Sequence, residues 1–158
     1  MDLSKLSMGD KVIAGSALAY FIFMFFPWFE LDLGPGDIFI SGTADANGFD
    51  VGFLWGFFPL LLALIMVAIV AVKAFSPDTE LPELPIGYGQ LLLGLGSLAA
   101  VLVVLKLLIG EDFFSRQFGL FLAALAAIGL AAGGFLKMQE GDEATTPGSA
   151  PPPPPPAA

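Results

Sequence analysis

The sequence contains neither cysteine nor histidine among its 158 residues. These absences exclude disulfide scaffolds, thiol nucleophiles and histidine general bases, and they exclude zinc sites of the usual ligand type. Only six residues are basic against 15 acidic ones, which gives a net charge of −9. So few cations argue against nucleic-acid binding and against polybasic docking to anionic lipid. We therefore predict no catalytic residue, no cofactor and no bound metal.

Apolar residues make up 56% of the chain and are gathered into long blocks. Such blocks are typical of membrane-spanning helices rather than of amphipathic helices on a soluble core. The clearest block is 51–72, which lies between Asp50 and Lys73 and carries no charge. At about 1.5 Å per residue it covers roughly 33 Å, the thickness of a bilayer's hydrocarbon core. Three further blocks predict spans at about 12–29, 88–109 and 118–136, so we expect an all-α, up-and-down bundle of four transmembrane helices within residues 1–138.

The segments between the blocks predict loops. Pro27 and Trp28 are expected to close the first helix at the headgroup layer, and Pro59 is expected to bend the second helix. Residues 30–50 form an acidic, glycine-rich loop, in which 38–40 and the turn signal Asn47-Gly48 favour a short strand or hairpin. Residues 139–158 lose all large apolar side chains and end in a proline run, which predicts a disordered cytoplasmic tail.

The distribution of basic residues predicts the orientation. In a four-span arrangement four lysines fall on one side and only two basic residues fall on the other, so the positive-inside rule places both termini in the cytoplasm. Both tryptophans are then expected at the outer interface with Phe113 and Phe114. The four lysines are Lys5, Lys11, Lys73 and Lys137, and the two bases opposite them are Lys106 and Arg116.

Small residues recur at helix-packing spacing in every block. They let helix backbones approach closely, because no hydrophobic effect drives helices together inside a bilayer. The favoured interpretation is packing within one molecule, and the alternative is a self-association face. The candidates are Gly15, Ala19, Gly52, Gly56, Gly96, Ala100, Gly129 and Gly133, with Ala123, Ala127 and Ala131 on one stripe of the fourth block.

Lys106 is the one ionisable residue well inside an apolar block. A charge at the bilayer centre costs roughly 2.5 to 3.5 kcal/mol on insertion scales, so the side chain is expected to extend outward to Glu111, Asp112 or the first loop. The alternative is a part in an ion pathway or a proton relay.

A calcium site is one interpretation of Asp45, Asn47 and Asp50, because hard cations bind carboxylate and amide oxygens. The spacing fails the EF-hand pattern, since Phe49 and Gly56 stand where the loop requires further oxygens. A solvated acidic loop is the favoured interpretation, and a weak divalent-cation site is the alternative.

Four segments resemble small, uncharacterised four-span membrane proteins of actinobacteria, several of which end in a Pro-rich cytoplasmic tail. They are NGFDVGFLW at 47–55, LKLLIGED at 105–112, FGLFLA at 118–123 and AAGGFLK at 131–137. The resemblance covers about residues 9–138, supports the four-span topology, and implies no activity or site residue. Trp28 followed by GFLW is also similar to the claudin-like four-helix proteins, although the paired loop cysteines of that family are absent.

These observations predict a non-enzymatic integral protein of the cytoplasmic membrane. Its expected role is that of a structural or accessory subunit, with the lipid bilayer, a protein partner or a second copy as its contacts. The alternative is a conduit for ions or small solutes, which a polar lining at the bilayer midplane would favour. A membrane-embedded enzyme would require midplane carboxylates, His or Cys that the blocks lack.

Overall fold

The computed structural model describes residues 3–31, 44–76, 85–110 and 114–144. Within these ranges the protein is mostly helical, with four long α-helices and three short β-strands. The helices are α1 Met8–Phe23, α2 Phe58–Phe75, α3 Tyr88–Ile109 and α4 Phe118–Ala144. The strands are β1 Pro27–Leu31, β2 Ala44–Asn47 and β3 Phe114–Arg116, and two shorter helical turns cover Leu3–Lys5 and Phe53–Phe57.

Three helical segments of the described chain are long and apolar enough to cross a membrane, judged by length and composition. They are Phe53–Phe75, Tyr88–Ile109 and Phe118–Gly141. These segments overlap the second, third and fourth predicted spans, and α3 has the predicted bounds of 88–109. Helix α1 has only 16 residues and is shorter than these three segments.

The first predicted span, 12–29, does not match α1. The helix begins earlier, because Ser7 just before it forms a reciprocal capping box with Asp10 of its first turn, and it ends at Phe23. Proline disfavours helical geometry in the residue before it, so the chain leaves the helix before Pro27. The predicted helix end at Pro27 and Trp28 is therefore wrong, and both residues belong to strand β1.

The three strands form one antiparallel sheet in the order β2-β1-β3. The chain thus pairs β1 with two distant segments, Ala44–Asn47 and Phe114–Arg116. The strand expected at 38–40 lies outside the described residues. Two strands alone are marginal in stability, and the third strand and packing against the helices remove that weakness.

Pro59 lies in the first turn of α2, directly after a π-helical turn at Phe53–Phe57. The helical segment is continuous from Phe53 to Phe75, and the Phe58 amide donates to the Phe53 carbonyl in the wider π pattern. Pro59 lacks the amide that would continue these bonds, and such a break is a recognised cause of helix irregularity. The helical irregularity expected from Pro59 therefore lies just before it, in the π-helical turn Phe53–Phe57. Gly52 precedes the π-helical turn with φ of 93°, a left-handed conformation that favours glycine.

Helix α4 is the centre of the packing, with its largest contacts against α3 and α1, while α2 contacts α3 and α1 less extensively. Its N-terminal Gly119 meets Phe26 and Pro27 beyond the end of α1, and Lys137 near its other end meets Gly9 at the start of α1. These contacts set α1 and α4 antiparallel. Helix α4 also continues to Ala144, so the segment 139–144 is helical and the disorder predicted from 139 is wrong for those residues.

The buried apolar side chains form two clusters, one toward each end of the helices. The cluster beside the sheet contains Tyr20, Trp28, Phe29, Leu60, Val103 and Leu120 among others. The cluster toward the chain's N-terminus contains Ile13, Ala63, Met66, Leu92, Ala99 and Leu130 among others.

Candidate functional site

The small residues singled out by spacing fall into different environments. A side-chain carbon added at Gly96 would lie 2.6 Å from the Leu130 carbonyl oxygen, and one at Gly133 would lie 2.7 Å from Ile13 Cγ1. At Gly129 it would meet the Ser16 hydroxyl of α1, whereas at Gly15 nothing lies within 4 Å. The close contacts at Gly96, Gly129 and Gly133 therefore lie between helices of one molecule.

The other candidates have mixed roles. Gly56 packs directly on the carbonyl of Gly48, and its own carbonyl accepts a hydrogen bond of 3.2 Å from the Tyr20 hydroxyl. Gly52 makes the turn before the π-helical segment, and an added side-chain carbon there would meet nothing within 4 Å. Ala19 and Ala100 are partly buried against the cluster beside the sheet. On the fourth-block stripe Ala123 and Ala127 are fully buried, while Ala131 is half-buried.

Lys106 lies in the last turn of α3 and is only 4% exposed. Its ammonium nitrogen is 5.4 Å from the ring centroid of Phe29 and 5.5 Å from that of Trp55. Both distances are within the range of cation–π attraction, which stabilises a lysine held away from bulk water. The acids Glu111 and Asp112, which the sequence suggests as partners, lie outside the described residues.

Trp28, expected at the headgroup layer, is instead fully buried. Its indole nitrogen donates to the Phe23 carbonyl at 2.9 Å, and its ring meets Tyr20 edge-on at 6.2 Å. The same carbonyl also accepts from the Phe26 amide at 3.2 Å, so it receives two hydrogen bonds at the end of α1, where the regular helical pattern stops. Trp28 therefore closes the end of α1 from inside the protein.

The sheet end of the molecule carries a second set of polar contacts. Arg116 donates from its guanidinium to the Leu108 carbonyl at 3.0 Å and covers Gly110, whose φ is 68°. The Gln117 side-chain amide donates to the Glu30 carboxylate. These contacts join the last turn of α3 and the start of α4 to the sheet.

Two of the three side chains suggested for a cation, Asn47 and Asp50, bond the backbone of their own segment. The Asp50 carboxylate accepts from the Asn47 amide at 3.0 Å, and the Asn47 side chain accepts from the Phe49 amide at 2.9 Å. Across the described ranges, no three Asp or Glu side chains are grouped to hold a metal ion.

A polar cluster that the sequence analysis missed joins the start of α1 to the end of α4. The Lys137 ammonium lies 3.1 Å from Asp10, 3.2 Å from Glu140 and 3.2 Å from the Ser7 hydroxyl. Glu140 also accepts a 2.9 Å hydrogen bond from the Gly9 amide. The Ser-x-x-Asp spacing of residues 7 and 10 is a capping signal that predicts the start of α1, but no local pattern pairs them with α4.

A cavity of about 400 Å³ opens next to this cluster, where α2 and α4 end and α3 begins. The ammonium of Lys73 lies on its wall, 4.0 Å from the centre of the Tyr88 ring. Gly89 packs directly on the α4 backbone at Met138, which brings the first turn of α3 against the end of α4. The polar lining comes from Lys73, Tyr88, Gln90, Lys137 and Glu140.

Comparison of this chain with protein-family models, with curated proteins and with solved structures finds no match.

Proposed function

We propose that the chain is a non-enzymatic integral protein of the cytoplasmic membrane, an up-and-down bundle of four transmembrane helices that positions partner proteins as a structural or accessory subunit. One observation carries the proposal. Among the described residues, the buried charged side chains are Asp10 and Lys106, and they lie at opposite ends of the helices. Between them the core is filled by apolar side chains such as Ile13, Met66 and Ala99, which do not hydrate a permeating ion. The buried Tyr20 hydroxyl is already bonded to the Gly56 carbonyl.

The exposed surface of α1 supports a place in the bilayer for this shorter helix. Leu18 is 61% exposed and Phe25, just beyond the helix end, is 60% exposed, with Phe21 and Ile22 also exposed between them. Such a row of large apolar side chains is unfavourable in water and favourable in lipid. Sixteen helical residues cover about 24 Å, and the chain that follows toward the buried Trp28 adds the remaining length.

The sheet supports the same arrangement, because backbone that leaves a helix near the membrane must have its polar groups satisfied. Strand β1 is the central strand and is paired on both sides. The Gln117 amide donates to the Trp28 carbonyl at 2.9 Å, and the Gly48 amide donates to the Met24 carbonyl at 2.9 Å. The positive-inside rule then places the sheet outside and both termini in the cytoplasm.

The second candidate is a conduit, and the buried charge of Lys106 is the observation that favours it. An intramembrane cation usually marks a functional pathway. In this structure, however, the ammonium lies between two aromatic rings in the last turn of α3 rather than at the middle of the helices.

Reconstitution into liposomes tests the choice. The accessory role predicts that K⁺, Na⁺, H⁺ and Cl⁻ fluxes equal those of empty liposomes, for both the native chain and Lys106→Gln. It also predicts that a photo-crosslinking residue at the lipid-exposed Phe121 or Leu98 captures one reproducible protein partner in native membranes. Flux from the native chain that Lys106→Gln abolishes would replace the accessory role with the conduit.

A further inference from the structure

The cavity at the end of α2, α3 and α4 places two lysine ammonium groups beside the first turn of a long helix, and we propose that it binds the anion of a phosphate ester. This chemistry is shared by phospholipid headgroups and by soluble phosphate esters. The cavity's volume of about 400 Å³ lies within the range of about 300 to 1,000 Å³ that small-molecule pockets occupy.

The charge of the lining favours an anion. Lys73 and Lys137 contribute two positive charges, and Glu140 contributes one negative charge. Glu140 is engaged by the Gly9 amide and by Lys137, and Lys137 is held in turn by Asp10. Lys73 is held differently, since its ammonium lies over the uncharged Tyr88 ring. A ring contact positions a cation without cancelling its net charge. The charge of Asp10 also reaches Lys73, but that carboxylate is already paired with Lys137 at 3.1 Å.

The neutral groups of the lining suit phosphate oxygens as well. Gln90 lines the cavity with a side-chain amide, a group that can donate hydrogen bonds. It belongs to the first turn of α3, whose preceding residue Gly87 supplies no side-chain acceptor to that turn. The positive end of the helix dipole therefore adds to the attraction of the two lysines for an anion.

The position of the cavity connects it to the proposed function. In the proposed orientation Lys73 and Lys137 lie at the cytoplasmic boundary of the bilayer, where anionic headgroups are concentrated. The lipid form of the inference therefore rests on the four-span proposal, whereas binding of a soluble phosphate ester does not.

Two variants separate this site from general surface charge. Lys73→Gln removes the ammonium at an exposed position, so the fold should be retained. Gly141→Trp adds a large side chain at a lining residue without changing any charge, and the space is open because an added side-chain carbon at Gly141 meets nothing within 4 Å. The control is Lys11→Gln, which removes an exposed lysine from the same end of the molecule but outside the cavity lining.

Binding is measured on the full chain in mild detergent by the shift in melting temperature and by titration calorimetry. The probes are short-chain phosphatidylglycerol, phosphatidylcholine of the same chain length, glycerol 3-phosphate and inorganic phosphate. We expect phosphatidylglycerol to bind at least tenfold more tightly than phosphatidylcholine, and both Lys73→Gln and Gly141→Trp to weaken it at least tenfold. Lys11→Gln should bind like the native chain.

The soluble probes identify the source of the phosphate. Binding of glycerol 3-phosphate or inorganic phosphate that both cavity variants weaken supports the site with a soluble ligand, whatever the number of spans. Binding of phosphatidylglycerol alone supports the site with a lipid headgroup. The proposal is overturned if no probe binds, if the two lipids bind equally, or if Lys11→Gln weakens binding as much as Lys73→Gln does.

Discussion

Individual glycines decide how closely the helices of this protein approach one another. Gly96 of α3 packs on the α4 backbone at Leu130, and Gly133 of α4 packs on α1 at Ile13. The spacing of small residues singled out both positions, but it singled out Gly15 in the same way, and that glycine meets no neighbour. Spacing along one helix identifies a face of small side chains. It does not show whether another helix packs against that face.

Gly133→Leu is expected to destabilise the protein, because its side chain would be forced into Ile13. Overpacking of this kind costs about 1 to 3 kcal/mol, which corresponds to a melting temperature lower by roughly 2 to 12 °C. Gly15→Leu is the matched control, and it should leave the melting temperature in detergent unchanged or slightly higher because the added side chain finds open space. Equal stability of the two variants would mean that α1 and α4 do not meet at Gly133.

The ion pair between Asp10 and Lys137 is expected to stabilise the contact between the start of α1 and the end of α4. Their side chains are 10% and 20% exposed, so solvent screens the pair less than a surface pair. A double-mutant cycle with Asp10→Asn and Lys137→Gln should give a coupling of roughly 1 kcal/mol. Asparagine keeps an acceptor for the Ser7 amide, so the cycle reports mainly on the charge.

The control cycle combines Asp10→Asn with Lys11→Gln. Adjacent residues on a helix do not face each other, so this pair should show almost no coupling. A coupling between Asp10 and Lys137 as small as that of the control pair would contradict the contact.

At the scale of whole elements, the sequence predicts α3 well and the ends of α1 and α4 poorly. The bounds of α3 follow from an apolar block that begins after Pro85-Ile86-Gly87 and ends at Gly110, both of which are local signals. The end of α4 is determined by contacts with residues about 130 positions away, which no local pattern contains. Strand β1 is likewise unpredictable from its own apolar sequence, since its partners are β2 and β3.

Two truncations test the extension of α4. A chain ending at Ala144 removes none of the contacts described for α4, so its melting temperature should match that of the full chain. A chain ending at Leu136 loses Lys137 and Glu140 together with their contacts to Ser7, Gly9 and Asp10. Loss of such a network typically costs a few kcal/mol, and the melting temperature should fall by about 5 °C or more. Equal stability of the two truncations would show that the end of α4 adds nothing to the fold.

At the scale of the molecule, the structure combines an apolar middle with two different polar ends. One end carries the sheet, Lys106 and Arg116, and the other carries the Lys137 cluster and the cavity. The blocks of the sequence predict the apolar middle, because burial in lipid requires long uncharged runs. The loop 30–50 predicts a short strand or hairpin, but the sequence predicts neither the third strand nor the cavity, because both depend on segments far apart in the chain.

The most direct test of the four-span arrangement is the accessibility of single cysteines placed at three serines. The chain has no cysteine of its own, so each variant reports one position. Ser4 precedes α1, Ser76 follows α2, and Ser115 lies in the exposed strand β3. In intact cells an impermeant thiol reagent should label Ser115→Cys, while Ser4→Cys and Ser76→Cys should react only after permeabilisation. Labelling of Ser4→Cys together with Ser115→Cys in intact cells, with Ser76→Cys protected, would contradict the account, because α1 would then not cross the membrane.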